Sequence, residues 1–161
     1  MSGQPQRITT FLAYDDQAEA AAKFYVGIFP NSRILEVVRT DGTGPRAKGD
    51  VVYVSLRLSG QQFGVLNGGP TFRFSDGISL YVRCRTQREV DAYWKKLSSG
   101  GTPGRCGWLK DRFGVSWQVI PDALGEMMAD SASGNVGRMM EAMFKMSKLD
   151  IRKLQQAYRG Q

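Results

Sequence analysis

The sequence predicts an α+β fold in which a strand–helix–strands module occurs twice and is followed by helices. Three observations support this prediction. Strand and helix signals near the N-terminus return 70 residues later, a charged hairpin closes the second copy, and residues 122–161 have helical periodicity. The chain has 161 residues, which is enough for one domain with a substantial core.

The first module covers about residues 7–68. Asp16 and Glu19 have the spacing of a capping box, which predicts that a helix begins there. Alternating or β-branched stretches predict strands on either side of that helix, and Gly60 predicts a tight turn between the last two. The predicted strands are residues 7–14, 33–40, 50–59 and 61–66.

The second module covers about residues 76–121 and repeats the first. Ile78 corresponds to Ile8 and Thr86 to Asp16, both at an offset of 70 residues. Thr86 and Glu89 again have capping-box spacing, so a second helix is expected after a strand at residues 78–84. Its apolar stripe consists of Val90, Tyr93, Trp94 and Leu97.

The hairpin at residues 106–121 closes the second module. Two apolar runs flank a charged turn at residues 110–112, and Gly114 supplies the backbone freedom that such a turn needs. Because side chains alternate along a strand, Gln118 and Trp117 are expected on opposite faces. Gln118 is therefore predicted to lie on the face away from the helices.

Residues 122–161 lie outside the repeat and predict helices. Six of the seven methionines are in this tail, a composition typical of adaptable contact surfaces. Asp150 is the expected N-cap of the last helix. The tail is expected to pack on its own chain or on a dimer partner.

Charge and cysteine content limit the classes of partner. The net charge of +7 is spread along the chain without a long basic run, which favours a solvated basic surface over nucleic-acid binding. No apolar run approaches the roughly 20 residues of a membrane helix. Two cysteines form no disulfide framework, and residues 1–7 lack a signal-peptide core, so a cytoplasmic location without membrane association is expected.

The chain contains no histidine. Ser-His-Asp and Cys-His catalysis are therefore excluded, as is a metal site built on imidazole. Any general base has to be Asp, Glu, Lys, Tyr or Cys.

Several short motifs occur in register along nearly the whole chain. They are Phe24-Tyr25, Ile28-Phe-Pro-Asn-Ser32, Leu66-Asn-Gly-Gly-Pro70, Thr86-Gln87 with Glu89-Val90, Cys106-Gly-Trp-Leu-Lys-Asp111, and Gly114 with Ser116-Trp-Gln118. Together they resemble the PhnB-like family of the vicinal oxygen chelate superfamily, which includes glyoxalase I, extradiol dioxygenases and bleomycin-resistance proteins. Some members carry a demethylubiquinone methyltransferase label. This sequence has no glycine-rich cofactor loop after a strand, so that activity is not expected here.

The resemblance implies that two βαβββ-type modules form a curved mixed sheet with a concave cleft, and that the protein is a homodimer. Module pairing within or between chains stays open. Strand alternation then sorts the side chains. The set expected under the helices is Ile8, Val52, Val54, Leu56, Ile78, Leu80, Val82, Trp117 and Val119. The set expected at the ligand-binding cleft is Thr9, Phe11, Tyr53, Ser55, Arg57, Ser79, Tyr81, Arg83, Trp108 and Gln118.

Metal-dependent members of the superfamily place ligands near the start of each module and late in its last strand. Those positions hold Thr9, Ser79, Gln118 and either Gly64 or Leu66, which include neither a histidine nor a carboxylate. A tight divalent site needs anionic or imidazole donors, so neither a metal nor another cofactor is expected.

Three classes of function follow from these expectations. The first is a metal-free protein that binds a small molecule, and Arg57 and Arg83 at the cleft would suit an anionic one. The second is an enzyme, such as a lyase or isomerase, with Asp111 or a tyrosine as proton carrier. The third is a structural or regulatory dimer whose methionine-rich tail is the interaction surface. The sequence identifies no catalytic residue.

Overall fold

The computed structural model describes residues 6–130 and 134–161. The chain forms two compact units, Met1–Arg73 and Phe74–Gln161. Each unit contains a four-stranded mixed sheet, with one helix in the first unit and four in the second among the described residues, so the predicted α+β class and the repeated βαβββ order are confirmed. The elements are β1 (Thr10–Tyr14), α1 (Ala18–Val26), β2 (Arg33–Arg39), β3 (Val51–Leu58), β4 (Gln61–Asn67), β5 (Leu80–Cys84), α2 (Gln87–Leu97), β6 (Thr102–Pro103), β7 (Trp108–Lys110), β8 (Ser116–Pro121), α3 (Asp122–Ala129), α4 (Asn135–Phe144) and α5 (Ile151–Arg159).

The sheet of the first unit has the order β1-β4-β3-β2. Strand β1 is parallel to β4, and the other two pairings are antiparallel. Helix α1 packs on one face of this sheet. On β1, β3 and β4, alternate side chains point to the helix and are buried there, while the intervening side chains form the opposite, open face; β2 contributes no buried side chain. The buried members are Leu12, Tyr14, Val54, Leu56, Leu58, Phe63 and Val65.

Helix α1 begins differently from the sequence prediction. It starts at Ala18, and Asp16 does not cap it. The backbone N–H of Ala18 instead donates to Oδ1 of Asn67 at 2.8 Å, while Nδ2 of Asn67 donates to the Val51 carbonyl at 2.9 Å. A buried amide from β4 thus supplies the acceptor that the local motif was expected to provide. Glu19 forms ion pairs with Lys23 and Arg39.

The sheet of the second unit repeats the topology, with the order β5-β8-β7-β6 and a parallel β5–β8 pair. Thr86 caps α2 as predicted, since its hydroxyl accepts from the N–H of Glu89 at 3.2 Å. The predicted hairpin joins β7 to β8, and Gly114 adopts φ of 88°, a value that side chains disfavour.

Three residues expected under the helices are exposed instead. Ile8 and Ile78 are 85% and 73% exposed, because β1 and β5 begin two residues after them. Val52 is 37% exposed and lies where the β2–β3 register shifts, between the pairs made by Val38 and Arg39. Such a bulge turns a side chain away from its expected face. Leu80 is half-buried, and the other members of the set are buried.

The three C-terminal helices pack within their own unit. Gln87, at the start of α2, holds the segment before α5: its Nε2 donates to the Leu149 carbonyl at 3.0 Å and its Oε1 accepts from the Ile151 N–H at 2.8 Å. Asp150 caps α5 as predicted, at 3.0 Å from the Lys153 N–H. The apolar cluster here consists of Ile120, Leu124, Met127, Met139, Leu149 and Leu154, with Val136, Met140, Met143, Met146 and Tyr158 against it.

Within the two described ranges, no helix combines the length and the apolar character needed to cross a membrane.

Candidate functional site

The open face of the first sheet carries the predicted site residues of the first module. The strand register places Phe11, Gly64 and Ser55 side by side on β1, β4 and β3. Tyr53 and Arg57 flank Ser55 on β3 and point to the same face, since each is two residues away. Thr9 lies one residue before β1 and is half-buried.

An aromatic pair occupies the centre of this face. The rings of Phe11 and Tyr53 are nearly parallel, with an interplanar angle of 13° and centroids 5.7 Å apart. Gly64 lies below them, and a Cβ at that position would come within 2.6 Å of Cζ of Phe11. The absence of a side chain at Gly64 therefore allows the Phe11 ring to lie over the sheet. Phe11 nevertheless stays 55% exposed.

Polar groups lie next to this aromatic pair. Ser55 is only 6% exposed, and its hydroxyl accepts from Nε2 of Gln62 at 3.4 Å. Arg57 is half-buried, and its buried Nε has no hydrogen-bond partner in the part of the chain that the structure describes. The open face thus offers two stacked rings and a half-buried guanidinium whose Nε lies below the surface.

The second sheet has its own open face, where Tyr81, Gln118 and Trp108 form a row across β5, β8 and β7. Nε2 of Gln118 donates to the Ser79 hydroxyl at 2.8 Å. Tyr81 is 56% exposed, and partial burial raises the pKa of its phenol. Beside Trp108 lies an open depression of about 460 Å³, lined in part by Asp76, Pro103, Lys110 and Ser116.

The two arginines of the predicted site differ in their surroundings. The guanidinium of Arg83 donates to Oδ1 of Asp122 at 2.9 Å, and this hydrogen bond raises the Arg83 pKa. Asp122 was not predicted from the sequence, because it comes 39 residues after Arg83 and starts α3. No ion pair of Arg57 exists among the described side chains. Arg57 is therefore the better candidate for binding an external anion.

Comparison with known proteins identifies the family. A family model described as 3-demethylubiquinone-9 3-methyltransferase matches residues 6–120. The chain belongs to this family. The PhnB protein from Bacillus cereus is 37% identical over 70% of this chain and 97% of its own, with a TM-score of 0.65. The PhnB-like resemblance inferred from the sequence is confirmed. No curated protein matches the chain.

More distant structures share the fold of this PhnB-like chain. A protein from Pseudomonas aeruginosa is 17% identical over 70% of this chain and 95% of its own, with a TM-score of 0.57. The fosfomycin resistance protein FosX from Listeria monocytogenes, solved with Mn(II) and sulfate, is 14% identical over 73% of this chain and 89% of its own, with a TM-score of 0.51. FosX belongs to the vicinal oxygen chelate superfamily.

The residues of this PhnB-like chain do not fit a divalent metal at the positions used by metal-dependent superfamily members. Gly64 has no side chain and Leu66 is apolar, while Gln118 and Ser79 bind each other. Across residues 6–130 and 134–161, no three His, Cys, Asp or Glu side chains are grouped closely enough to hold a metal ion. The available donors are neutral, and a tight divalent site needs anionic or imidazole donors.

Asp111, one of the expected proton carriers, has a structural role. It is only 3% exposed, and one carboxylate oxygen accepts from the N–H groups of Phe113 and Val115 at 2.8 and 3.1 Å. The other oxygen accepts from Nε1 of Trp117 at 2.8 Å. The carboxylate therefore organises the β7–β8 turn and points into the protein. Among the tyrosines, Tyr53 and Tyr81 lie on the open faces of the sheets, whereas Tyr14 and Tyr25 are buried.

The two cysteines are expected to differ in reactivity. Cys84 is fully buried, and this burial raises the pKa of its thiol to about 12, so almost no thiolate forms at pH 8. Cys106 is half-buried, with its Sγ 3.6 Å from the Met143 carbonyl oxygen. Titration of the native protein with a thiol reagent at pH 8 should modify Cys106 much faster than Cys84. Equal rates in the parent, or fast labelling of a Cys106→Ser variant, would contradict this.

Proposed function

We propose that this PhnB-like protein binds a small anionic molecule, without a metal ion, as a homodimer in the cytoplasm. The observation that carries the proposal is the exposed Phe11–Tyr53 pair with Arg57 on the same sheet face. Stacked aromatic rings bind planar or apolar groups, and a guanidinium without an ion pair binds an anion. We also propose that the predicted residues on the open face of the second sheet contact a ligand. They are Ser79, Tyr81, Arg83, Trp108 and Gln118.

The aromatic pair supports ligand binding, because exposure of its apolar rings to water is unfavourable in free energy. Phe11 is more than half exposed although Gly64 leaves space for its ring to lie flat on the sheet. Exposed apolar side chains placed together on one surface commonly mark a contact site. A ligand that covers both rings would gain burial of apolar area in addition to the ring–ring contact.

The distant neighbours supply suitable probes. One FosX structure contains Mn(II) and 1S,2S-dihydroxypropylphosphonic acid, and its 13% identity to this chain supports the fold alone. We therefore use a phosphonate only as a starting probe.

The edge strands of the two sheets support the proposal of a homodimer. Strands β1 and β5 each lie at one end of the strand order in their sheets. An edge strand presents backbone N–H and C=O groups that can pair with another strand. A second copy of the chain would provide such a strand. The cytoplasmic location rests on the two free thiols, which suit a reducing compartment.

Phenylphosphonate binding provides the test, measured by isothermal titration calorimetry in a chelator-containing buffer. The parent should bind saturably, and Gly64→Ala should weaken binding about tenfold by displacing the Phe11 ring, which removes the aromatic contact. Gly68→Ala is the matched control, because its Cβ would meet the exposed ring of Phe72 at 2.5 Å just after β4. It should bind like the parent.

Two results would contradict the proposal. The first is an equal loss of affinity in Gly64→Ala and Gly68→Ala. The second is a lack of saturable binding by the parent together with no bound small molecule in native mass spectra of gently purified protein. The same spectra report the oligomeric mass, and a monomer at micromolar concentration would remove the homodimer from the proposal.

A further inference from the structure

Arg57 has a buried donor for which the described residues provide no acceptor. Its Nε is buried, and no described group accepts from it. Its neighbour on β4 is Gln62, whose amide is directed to the Ser55 hydroxyl. A buried polar group without a partner costs free energy, and a bound water or ion is one way in which native proteins satisfy such a group.

Arg33 lies directly opposite Arg57. The two residues are partners in the antiparallel β2–β3 register, so their side chains leave the same face of the sheet. Cross-strand partners have Cβ atoms about 5 Å apart, and two like charges at this spacing destabilise the pair. Within the described ranges, no carboxylate lies within 4.0 Å of either guanidinium. Glu36 lies opposite Ser55, one cross-strand position from Arg57 on the same face, and among the described side chains it forms no ion pair with either arginine.

We propose that Arg33 and Arg57 form a subsite for a tetrahedral dianion, namely a phosphate ester, a phosphonate or a sulfate. A carboxylate has two oxygens and satisfies one guanidinium fork, whereas a tetrahedral dianion has enough oxygens and charge to bind both forks. The dianion would neutralise the repulsion between the two arginines. The inference rests on the proposed function and names the ligand's chemical class.

The position of the subsite also limits the length and the arrangement of groups in the ligand. Arg57 and Tyr53 are four residues apart on β3, which corresponds to about 13 Å along an extended strand. A ligand that binds both groups therefore has its dianion at one end and its apolar or aromatic part at the other. Free inorganic dianions contact only the arginine end, so they test this subsite independently of the rings.

Titration of the parent and variants with sodium sulfate, at constant ionic strength set by chloride, tests the subsite. Arg57→Ala and Arg33→Glu should each weaken sulfate binding at least tenfold, since each leaves a single guanidinium. Arg152→Ala on α5 removes the same charge from an exposed position and should bind like the parent. Acetate, a planar monoanion, should bind the parent more weakly than sulfate.

Arg33→Glu has a second expected effect that a misfolded variant would not show. A glutamate opposite Arg57 replaces a like-charge pair by an opposite-charge pair, so the melting temperature in sulfate-free buffer should rise. Loss of sulfate binding together with a raised melting temperature supports the subsite. Inorganic phosphate should bind more tightly at pH 8 than at pH 5.5, because it loses its second proton over this range, whereas sulfate binding should not change.

The subsite is overturned if sulfate affinity is unchanged in Arg33→Glu and Arg57→Ala, or if Arg152→Ala lowers it equally. These outcomes are distinguishable from failure of the proposed function. Phenylphosphonate binding that depends on Gly64 but not on either arginine would keep the proposed function and remove the dianion subsite. Sulfate binding that depends on both arginines, without an effect of Gly64→Ala on phenylphosphonate, would keep the subsite and remove the aromatic part.

Discussion

Replacing Asp111 by alanine is expected to lower the free energy of unfolding by about 5 kcal/mol, near the lower end of the sum for three hydrogen bonds to a charged group at about 1.5–3 kcal/mol each. The substitution leaves three donors without their acceptor: the N–H groups of Phe113 and Val115 and the indole N–H of Trp117. Because Asp111 is 3% exposed, water cannot easily replace the carboxylate. The β7–β8 turn would lose its organising group.

Urea denaturation followed by tryptophan fluorescence measures this loss, and Trp117 is a local reporter. Asp76→Ala is the matched control, because the Asp76 side chain is 76% exposed and its ion pair with Lys110 is a surface contact. The control should change stability by less than about 1 kcal/mol. If Asp111→Ala were no less stable than Asp76→Ala, the structural role assigned to the carboxylate would be wrong.

Gly107→Ala is expected to cost about 3 kcal/mol, from left-handed backbone strain of 1–2 kcal/mol and overpacking of similar size. Gly107 has φ of 83°, and a Cβ there would lie 2.9 Å from the Val119 carbonyl oxygen and 2.8 Å from Cδ1 of Ile120. The backbone N–H of Gly107 donates to the Ser147 carbonyl at 2.8 Å. The added methyl group therefore pushes the tail away from β8.

Urea denaturation and limited proteolysis of the region after residue 145 report the effect on the tail. Gly137→Ala is the control: Gly137 lies within α4, and a Cβ there meets no atom within 4 Å. This control should stabilise the helix by up to about 1 kcal/mol, because alanine has the higher helix propensity. Unchanged stability and unchanged cleavage in Gly107→Ala would show that the tail tolerates a side chain at this position.

Much of the fold could be predicted because its signals are local. Period-2 alternation located the strands, and the Thr86 and Asp150 caps follow from residues three positions apart. The predictions were wrong at two places where contacts with residues distant in sequence determine the local structure. Asn67 replaced Asp16 at the start of α1, and a register shift exposed Val52.

The sequence was enough to predict which residues belong to the candidate site. It was not enough to predict which of their side chains bind one another. Alternation placed Phe11, Tyr53 and Arg57 on one face, and the register agrees with this. The pairing of Arg83 with Asp122, the inward direction of Asp111 and the position of Arg33 opposite Arg57 depend on contacts between separate elements. These contacts leave no local signal in the sequence.

The sequence by itself determined the α+β class, the repeated module, the family and the absence of imidazole chemistry. These properties depend on periodicity, motifs and composition, which are features of the sequence itself. Only the tertiary structure decided which polar groups satisfy one another and which remain available. Strand register brings Gly64 under Phe11 and Arg33 beside Arg57, and that register is set by packing between segments distant in sequence.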